Sequence, residues 1–300
     1  MEGPLFSVVV PATTANLGPG YDSVGMALSL YMTVEVSEAS EWNVHYDGEE
    51  YAGLPTDETN LIVQTIQDVA GRYGKEIKPH ALHIASEIPL GKGLGSSATA
   101  IAAGIEIANE LLNLSLSPKE KVRIGSENEG HSDNVAAALL GGVTVAYFVE
   151  NELEVIQLPQ PLIGAVILVP PNALKTSESR GLLPTELSHS LASAGSAASN
   201  VMLTAISVGD WELAGKMLER DIFHEQYRKP LLQDFDQIRT FCREAGAYGM
   251  TVSGAGPSLF VAVKEGTQEE IAIKLEKEFP YYKAIPVTPA PIGSRIKKDA

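Results

Sequence analysis

Ile88-Pro89-Leu90-Gly91-Lys92-Gly93-Leu94-Gly95-Ser96-Ser97-Ala98-Thr99-Ala100 joins an alternating segment, Ala81-Leu82-His83-Ile84-Ala85-Ser86, to a run of helical periodicity, and so spells strand, loop and helix. Glycine at 91, 93 and 95 opens backbone conformations closed to other residues and removes the Cβ that would hold a ligand away from the amides. Ser96 and Ser97 then start the helix, where unpaired N–H groups and the macrodipole favour an anion. The pattern predicts a phosphate cradle. It is not a Walker A loop, because Lys92 precedes the last two glycines. Nor is it the dinucleotide fingerprint, because Ser96 stands where the third glycine belongs. A plain glycine-rich turn with a serine cap shares the local spelling, so the decision lies elsewhere in the chain.

A chain of 300 residues has room for two ordinary domains or one large one, and for a substantial core. Its 44% hydrophobic and 20% charged content is that of a soluble globular protein and excludes disordered and fibrous classes. A formal net charge of −16 argues against a nucleic-acid partner, whose phosphates need clustered Lys and Arg. The short basic run Arg295-Ile296-Lys297-Lys298 reads as a solvated tail. The single cysteine, Cys242, excludes a disulfide framework and a cysteine zinc site, and reads as a small apolar residue. Met1-Glu2-Gly3-Pro4 has no basic or apolar leader character and no run reaches bilayer-spanning length, so a cytoplasmic protein without a membrane partner is expected.

Leu5 to Val10 is a strand that Pro11 is expected to end. A long loop to Leu28 follows, in which Asn16 and Asp22 are open to turn-forming or binding roles. Tyr31 to Val36 and Trp42 to Tyr46 alternate as strands. Asn60 to Tyr73 carries Ile62, Ile66, Val69, Ala70 and Tyr73 at helical spacing. His80 and His83 lie three apart near the next strand and face opposite sides of it, so they read as structural rather than as metal ligands. An apolar stripe from Ala98 to Leu112 predicts a helix ending near Asn113. Ser117-Pro118-Lys119-Glu120 opens another, which carries Glu127 and Glu129 toward His131, Asp133 and Asn134. Asp133 there is compatible with ordinary capping. Three short strands lie between Gly142 and Val169, with a domain crossing around Pro159 to Pro161. Lys175 to Pro184 is a polar surface segment, and Leu187 to Val208 and Trp211 to Glu219 are helical. From Leu232 the chain alternates helix and strand to Val287, an α+β layer of ferredoxin-like type.

Three stretches together resemble the GHMP kinases, the family of galactokinase, homoserine kinase, mevalonate kinase and phosphomevalonate kinase. The run from Pro89 to Ala98 is similar to the family's ATP-binding loop. Ser253-Gly254-Ala255-Gly256-Pro257 is similar to its third motif, whose glycines approach the phosphate loop. Pro11 to Leu28 resembles its first motif in the spelling of the homoserine kinases, Pro-x-x-x-Ala-Asn-Leu-Gly-x-Gly-Tyr-Asp-x-x-Gly-x-Ala-Leu. The resemblance implies an α+β, two-domain GHMP kinase fold, with a ribosomal protein S5 domain 2-like unit over residues 1–158 and a ferredoxin-like unit over 159–300.

The resemblance also implies ATP at Pro89, Leu90, Gly91, Lys92, Gly93, Leu94, Gly95, Ser96, Ser97, Ala98 and Thr99. Glu127 to His131 has the family's Glu-x-x-x-His spacing, which implies Mg²⁺ at Glu127 and Ser97, with Glu129 as the alternative to Glu127. Mg²⁺ suits such a pair because it takes one or two hard oxygen ligands from protein and the rest from phosphates and water. Asn16, Asp22, His131, Asn134, Arg180, Arg228 and Gly254 are implied substrate residues. Among them Asp22 would take an ammonium, and the guanidinium forks of Arg180 and Arg228 a carboxylate.

The implied reaction is transfer of the ATP γ-phosphoryl group to the hydroxyl of L-homoserine, giving O-phospho-L-homoserine on the route to threonine. Phosphoryl transfer works by positioning and charge neutralisation, here with Glu127, Ser97, Asp133 and Asn134 at the reacting centre. The base is open between Asp133 and none, with His131 a weaker candidate. Two other readings keep the fold: a kinase for mevalonate or a sugar, and a catalytically idle ATP sensor. The joint presence of Ser97, Glu127 and the substrate residues argues against the sensor. A homodimer is an open expectation.

Overall fold

The computed structural model describes residues 4–150, 152–174 and 176–298. Met1 to Gly3 and Lys175, the first residue of the expected polar segment, lie outside the described residues. The strands are β1 (Phe6–Ala15), β2 (Val24–Glu38), β3 (Asn43–Tyr46), β4 (His80–Ser86), β5 (Val143–Val149), β6 (Glu152–Gln157), β7 (Ile163–Val169), β8 (Gly249–Val252), β9 (Leu259–Lys264), β10 (Lys283–Val287) and β11 (Arg295–Lys297). The helices are α1 (Leu61–Arg72), α2 (Ser96–Leu111), α3 (Pro118–Glu129), α4 (Asp133–Leu140), α5 (Thr176–Arg180), α6 (His189–Val208), α7 (Trp211–Leu218), α8 (Glu225–Arg228), α9 (Phe235–Glu244) and α10 (Gln268–Glu278).

The first sheet runs β11-β1-β2-β4-β3, and β5 and β6 extend it from the other end of β2. Its β1 does not stop at Pro11. The strand continues to Ala15 through a register shift between Pro11 and Ala12, and a bulge is where a sheet tolerates a residue that cannot donate. The expected long loop is therefore short, from Asn16 to Ser23. Asn16, Leu17 and Gly18 turn in the left-handed region with φ of 71°, 47° and 73°. Leu17 is held there by complete burial, and Asn16 by accepting from the Asp22 N–H at 2.9 Å and donating to the Gly254 carbonyl at 3.1 Å.

The second sheet, β10-β7-β9-β8, is antiparallel throughout. With α9 and α10 it has the strand order of the expected ferredoxin-like layer. Every residue of β7 is buried, because alternate side chains serve two cores. Ile163, Ala165, Ile167 and Val169 join the large core shared with the first sheet, while Val166 and Leu168 pack with Ile238, Ile271 and Leu275 under α9 and α10.

Two expectations about the C-terminal half are corrected. Arg295-Ile296-Lys297 is not a solvated tail: it is β11, paired antiparallel with β1, with the Arg295 guanidinium 5.3 Å from the centre of the Tyr31 ring. A strand from the end of the chain thus belongs to the first sheet, which a single cut after residue 158 does not describe. Second, α6 is long and apolar enough to cross a membrane by length and composition, with a mean hydropathy of 1.3 over its best window. Leucine, valine and isoleucine carry most of that value along a helix that also bears five serines. It buries Gly195, Met202, Ala205 and Ile206 and leaves most of its other residues exposed.

Helix α7 lies so close to the second sheet that Gly215 has no room for a side chain. A Cβ there would stand 2.0 Å from the Tyr248 carbonyl oxygen. Gly215→Ala, remote from the cavity described below, is expected to cost about 1–3 kcal/mol through forced separation of α7 from β8. The loss is read as a lower denaturant midpoint at unchanged slope.

Candidate active site

A cavity of about 670 Å³ opens where the β1–β2 turn, the glycine loop, the α3–α4 junction, α5 and the β8–β9 loop converge. The glycine loop forms its floor. Gly91, Gly93 and Gly95 all have positive φ. A Cβ on Gly93 would meet the carbonyl oxygens of Ser253 and Gly256 at 2.4 and 2.6 Å, and one on Gly95 would lie 1.9 Å from Thr13 Oγ1. Gly95 also caps α2 without a side-chain acceptor, which leaves the first-turn N–H groups to whatever occupies the cavity. Lys92 Nζ donates to the carbonyls of Pro170 and Pro171 at 3.0 and 2.6 Å, anchoring the loop to the chain that leaves β7.

Of the implied nucleotide residues, Leu90, Gly91, Lys92, Gly93, Gly95, Ser96, Ser97 and Thr99 line the cavity. Pro89, Leu94 and Ala98 do not. Leu94 and Ala98 point into the core, and the Pro89 carbonyl accepts from Ser96 Oγ at 3.3 Å. All seven implied substrate residues line the cavity.

Glu127 is displaced from its expected place. Residues two apart on a helix point to opposite sides, and α3 turns Glu127 outward to an ion pair with Arg72 of α1. Glu129 is the carboxylate that lines the cavity. Its Oε2 is buried with no hydrogen-bond partner among the described residues and lies 3.8 Å from His131 Nδ1. Burial pushes its pKa up, against the opposing effects of His131 and of a hydrogen bond from Ser97. A buried, under-coordinated carboxylate beside a hydroxyl at the start of α2 fits a hard divalent cation such as Mg²⁺.

His131, Asp133 and Asn134 form a connected group. Asp133 Oδ1 accepts from His131 Nδ1 at 2.7 Å, from the Asn134 N–H at 2.7 Å and from Asn134 Nδ2 at 3.2 Å. Asn134 Oδ1 in turn accepts from Thr13 Oγ1 at 2.7 Å, directly beneath Gly95. Burial works against a charge on His131, but the hydrogen bond and charge of Asp133, helped by Glu129, raise its pKa to about 9. This favours the imidazolium, a hydrogen-bond donor, over the neutral ring that a base requires.

Asp22 and Arg180 do not stand as separate anchors. They make a two-pronged pair, 2.6 and 3.0 Å, and Arg180 also donates to Tyr21 Oη at 2.9 Å. Two guanidiniums lie near the Tyr21 ring, with the Arg180 and Arg228 carbons 5.7 and 5.8 Å from its centre. Arg228 is only 2% exposed. It donates to the Gly254 carbonyl at 2.8 Å and to His224 Nδ1 at 3.1 Å, and its Nε has no partner among the described residues. Burial, together with Arg228, pulls the His224 pKa down to about 4, so it is neutral, and its Nε2–H donates to the Gly18 carbonyl at 3.1 Å. Tyr21 and His224 were not singled out from sequence, although one adjoins Asp22 and the other lies one turn before Arg228.

The other end of the cavity is apolar and was also missed. Tyr46 and Tyr51 stack with ring centres 5.5 Å apart, flanked by Leu54, Pro55, Leu61 and Ile88. Tyr51 Oη donates to the Ile88 carbonyl at 3.0 Å, and Asn60, which caps α1, donates to Tyr46 Oη at 2.9 Å. These residues come from a strand, a turn and a helix start, and no linear motif joins them.

Comparison with known proteins gives a consistent result. Residues 60–142 match the family model described as GHMP kinases N terminal domain, and residues 202–280 match GHMP kinases C terminal. The chain is 41% identical to a homoserine kinase of Bacillus velezensis over 98% of this chain and 96% of that protein. It is 46% identical to one of Enterococcus faecalis, over 89% and 92%. A crystal structure of homoserine kinase from Cytophaga hutchinsonii superposes with a TM-score of 0.86 at 27% identity, over 97% of this chain and 96% of that one.

The His131–Asp133 pair generates a titration test. With its pKa raised from 6.5 to about 9, His131 contributes stability that is fully present below pH 6.5 and is lost as pH rises through about 9. Histidine-detected NMR is expected to find this ring protonated at pH 8 in the wild type. In Asp133→Asn, where burial is no longer opposed by that carboxylate, it should be neutral.

Proposed function

We propose, for a chain that belongs to the homoserine kinases of the GHMP kinase family, that it transfers the γ-phosphoryl group of ATP to the side-chain hydroxyl of L-homoserine, forming O-phospho-L-homoserine for threonine biosynthesis. The observation that carries the choice of acceptor is the charge arrangement at the polar end of the cavity, where Asp22 pairs with Arg180 and Arg228 also lies beside the Tyr21 ring. A small zwitterion can exchange with such a pair, its ammonium taking Asp22 and its carboxylate the guanidinium forks. An acceptor lacking either charge leaves one member unpaired, which costs on the order of 2–5 kcal/mol.

The phosphates belong at the glycine loop and the first turn of α2, and the nucleoside at the apolar end between Tyr46, Tyr51 and Leu54. Glu129 and Ser97 would hold Mg²⁺, which when bound offsets phosphate charge. His131, as an imidazolium, adds a positive charge and a hydrogen-bond donor beside the transferring group. Asp133 serves as its counter-ion. Three donors hold its Oδ1 in place, and in this reading the acceptor's proton passes either to Oδ2 of Asp133 or to a phosphoryl oxygen. Asn16 ties the substrate turn to Gly254, and His224 positions Arg228. The division into an ATP-binding unit over 1–158 and a second unit over 159–300 is part of this reading, with β11 returning to the first unit. So is a cytoplasmic location, where ATP is available. The exposed face of α6, which includes Leu191, Val201 and Val208, is the surface assigned to a homodimer.

A coupled ADP-release assay over homoserine, mevalonate and sugars tests the reading, and homoserine should be strongly preferred. Glu129→Gln is expected to lower kcat by roughly 10²–10³-fold, while Glu127→Gln stays near wild type. Asp22→Asn and Arg228→Leu should each lower kcat/KM for homoserine by about 2–5 kcal/mol with little change in ATP affinity. Preference for another alcohol, or a reversed order of the two glutamates, would overturn the corresponding assignment. Light scattering should give twice the 31.9 kDa chain mass, and a monomer mass would sink the dimer.

A further inference from the structure

A second chemical cluster stands on the first sheet, on the side away from the cavity. Strand alternation sends Tyr46 inward to the cavity wall and its neighbours His45 and Asp47 outward. His45 is the direct register partner of His83 on β4, and His83 is the direct partner of Glu35 on β2. The two imidazoles stack with centres 5.2 Å apart. Asp47 Oδ1 lies 2.9 Å from His83 Nε2 and 3.8 Å from His45 Nε2, and all three side chains offer a ligand atom within 4.8 Å of the others. Reading His83 against His80 in sequence concealed this, because its partner is on the adjacent strand.

We propose that His45, Asp47 and His83 bind one divalent transition ion of the zinc class. Two imidazole nitrogens and one carboxylate oxygen are a donor set that suits Zn²⁺, with water completing the coordination. Zinc–ligand bonds of about 2.0–2.1 Å put tetrahedral ligand atoms about 3.3 Å apart, a value the 2.9 and 3.8 Å separations bracket. These exposed side chains close the remaining difference by rotamer adjustment. Glu35 supplies the supporting carboxylate that ligating histidines characteristically have: its Oε2 lies 3.5 Å from Nδ1 of His83, the ring nitrogen pointing away from Asp47. Mg²⁺ prefers all-oxygen surroundings, so the site selects a different ion from the one proposed for phosphoryl transfer. β3 is an edge strand whose neighbour in the sheet is β4. An ion held by both strands would clip that edge and steady Tyr46 behind it.

The test is calorimetric titration of tag-free full-length protein with ZnCl₂ in buffer containing excess Mg²⁺. The cavity offers a second possible group, Asp22, His131 and Asp133, so the reading is the difference between wild type and a His45→Ala, His83→Ala double variant. Both side chains are exposed, and circular dichroism checks that the variant folds. The wild type is expected to bind one more zinc ion per chain than the double variant. Each single alanine variant, and Glu35→Gln, should weaken that site by about tenfold or more. Zinc should also slow amide exchange in β3 of the wild type and not of the double variant. Equal zinc stoichiometry and affinity in the two proteins, or loss of the extra ion to Mg²⁺, would overturn the proposal.

Discussion

The architecture depends on a close approach of backbones at the glycine loop. Gly93 touches the carbonyls of the β8–β9 loop, Gly95 touches Thr13 of β1, and neither has space for a Cβ. Polar atoms fasten the same contact. Ser253 Oγ bridges Thr14 Oγ1 at 2.9 Å and the Gly93 carbonyl at 2.7 Å, and the Gly254 N–H donates to the Ala15 carbonyl at 3.2 Å. One junction therefore sets the position of α2, joins the first sheet to the second, and leaves a cleft that backbone N–H groups can line. A side chain at either glycine would separate all three elements together.

Charge is handled inside this frame by local pairing. A chain with net charge −16 carries two arginines into a cavity and shields one almost completely from water. Burying a guanidinium is tolerable only when its donors are used. Arg180 meets that condition through Asp22 and Tyr21, whereas Arg228 meets it only in part: Nη1 donates to the Gly254 carbonyl and to a neutral His224, and Nε is left without a partner among the described residues. Both cations also lie within 6 Å of the centre of the Tyr21 ring, whose electron-rich face attracts positive charge. His131 and Asp133 repeat the arrangement on the other wall. The polar end is thus built of opposite charges held near one another, a surface complementary to a small zwitterion.

Much of the candidate site was legible because phosphate binding by backbone requires consecutive residues. Gly91, Gly93, Gly95 and the serines that follow must be neighbours in sequence to cradle one group, so the chemistry is spelled locally. The same holds for Asn16 and Asp22, which share one tight turn. Helices with caps were placed closely for the same reason: α3 opens on the capping box that Ser117-Pro118-Lys119-Glu120 spells. Errors arose where tertiary context overrode a local signal. Pro11 was absorbed by a bulge, and the basic residues at 295–297 found the open edge of β1.

By itself the sequence determined the α+β layering, the glycine loop between a strand and a helix, and the acidic helix end at Glu127 to Glu129, since each is a matter of neighbours along one strand, turn or helix face; Arg180 and Arg228 were marked only by the family resemblance. The tertiary structure decided which glutamate enters the cavity, because that depends on the rotation of α3 against α1 and its Arg72. It likewise decided that Tyr46 and Tyr51 form one wall, that Arg180 closes on Asp22, and that His83 belongs with His45 rather than His80. These pairings join residues from different elements, and only packing and strand register bring such residues within a few ångströms of one another.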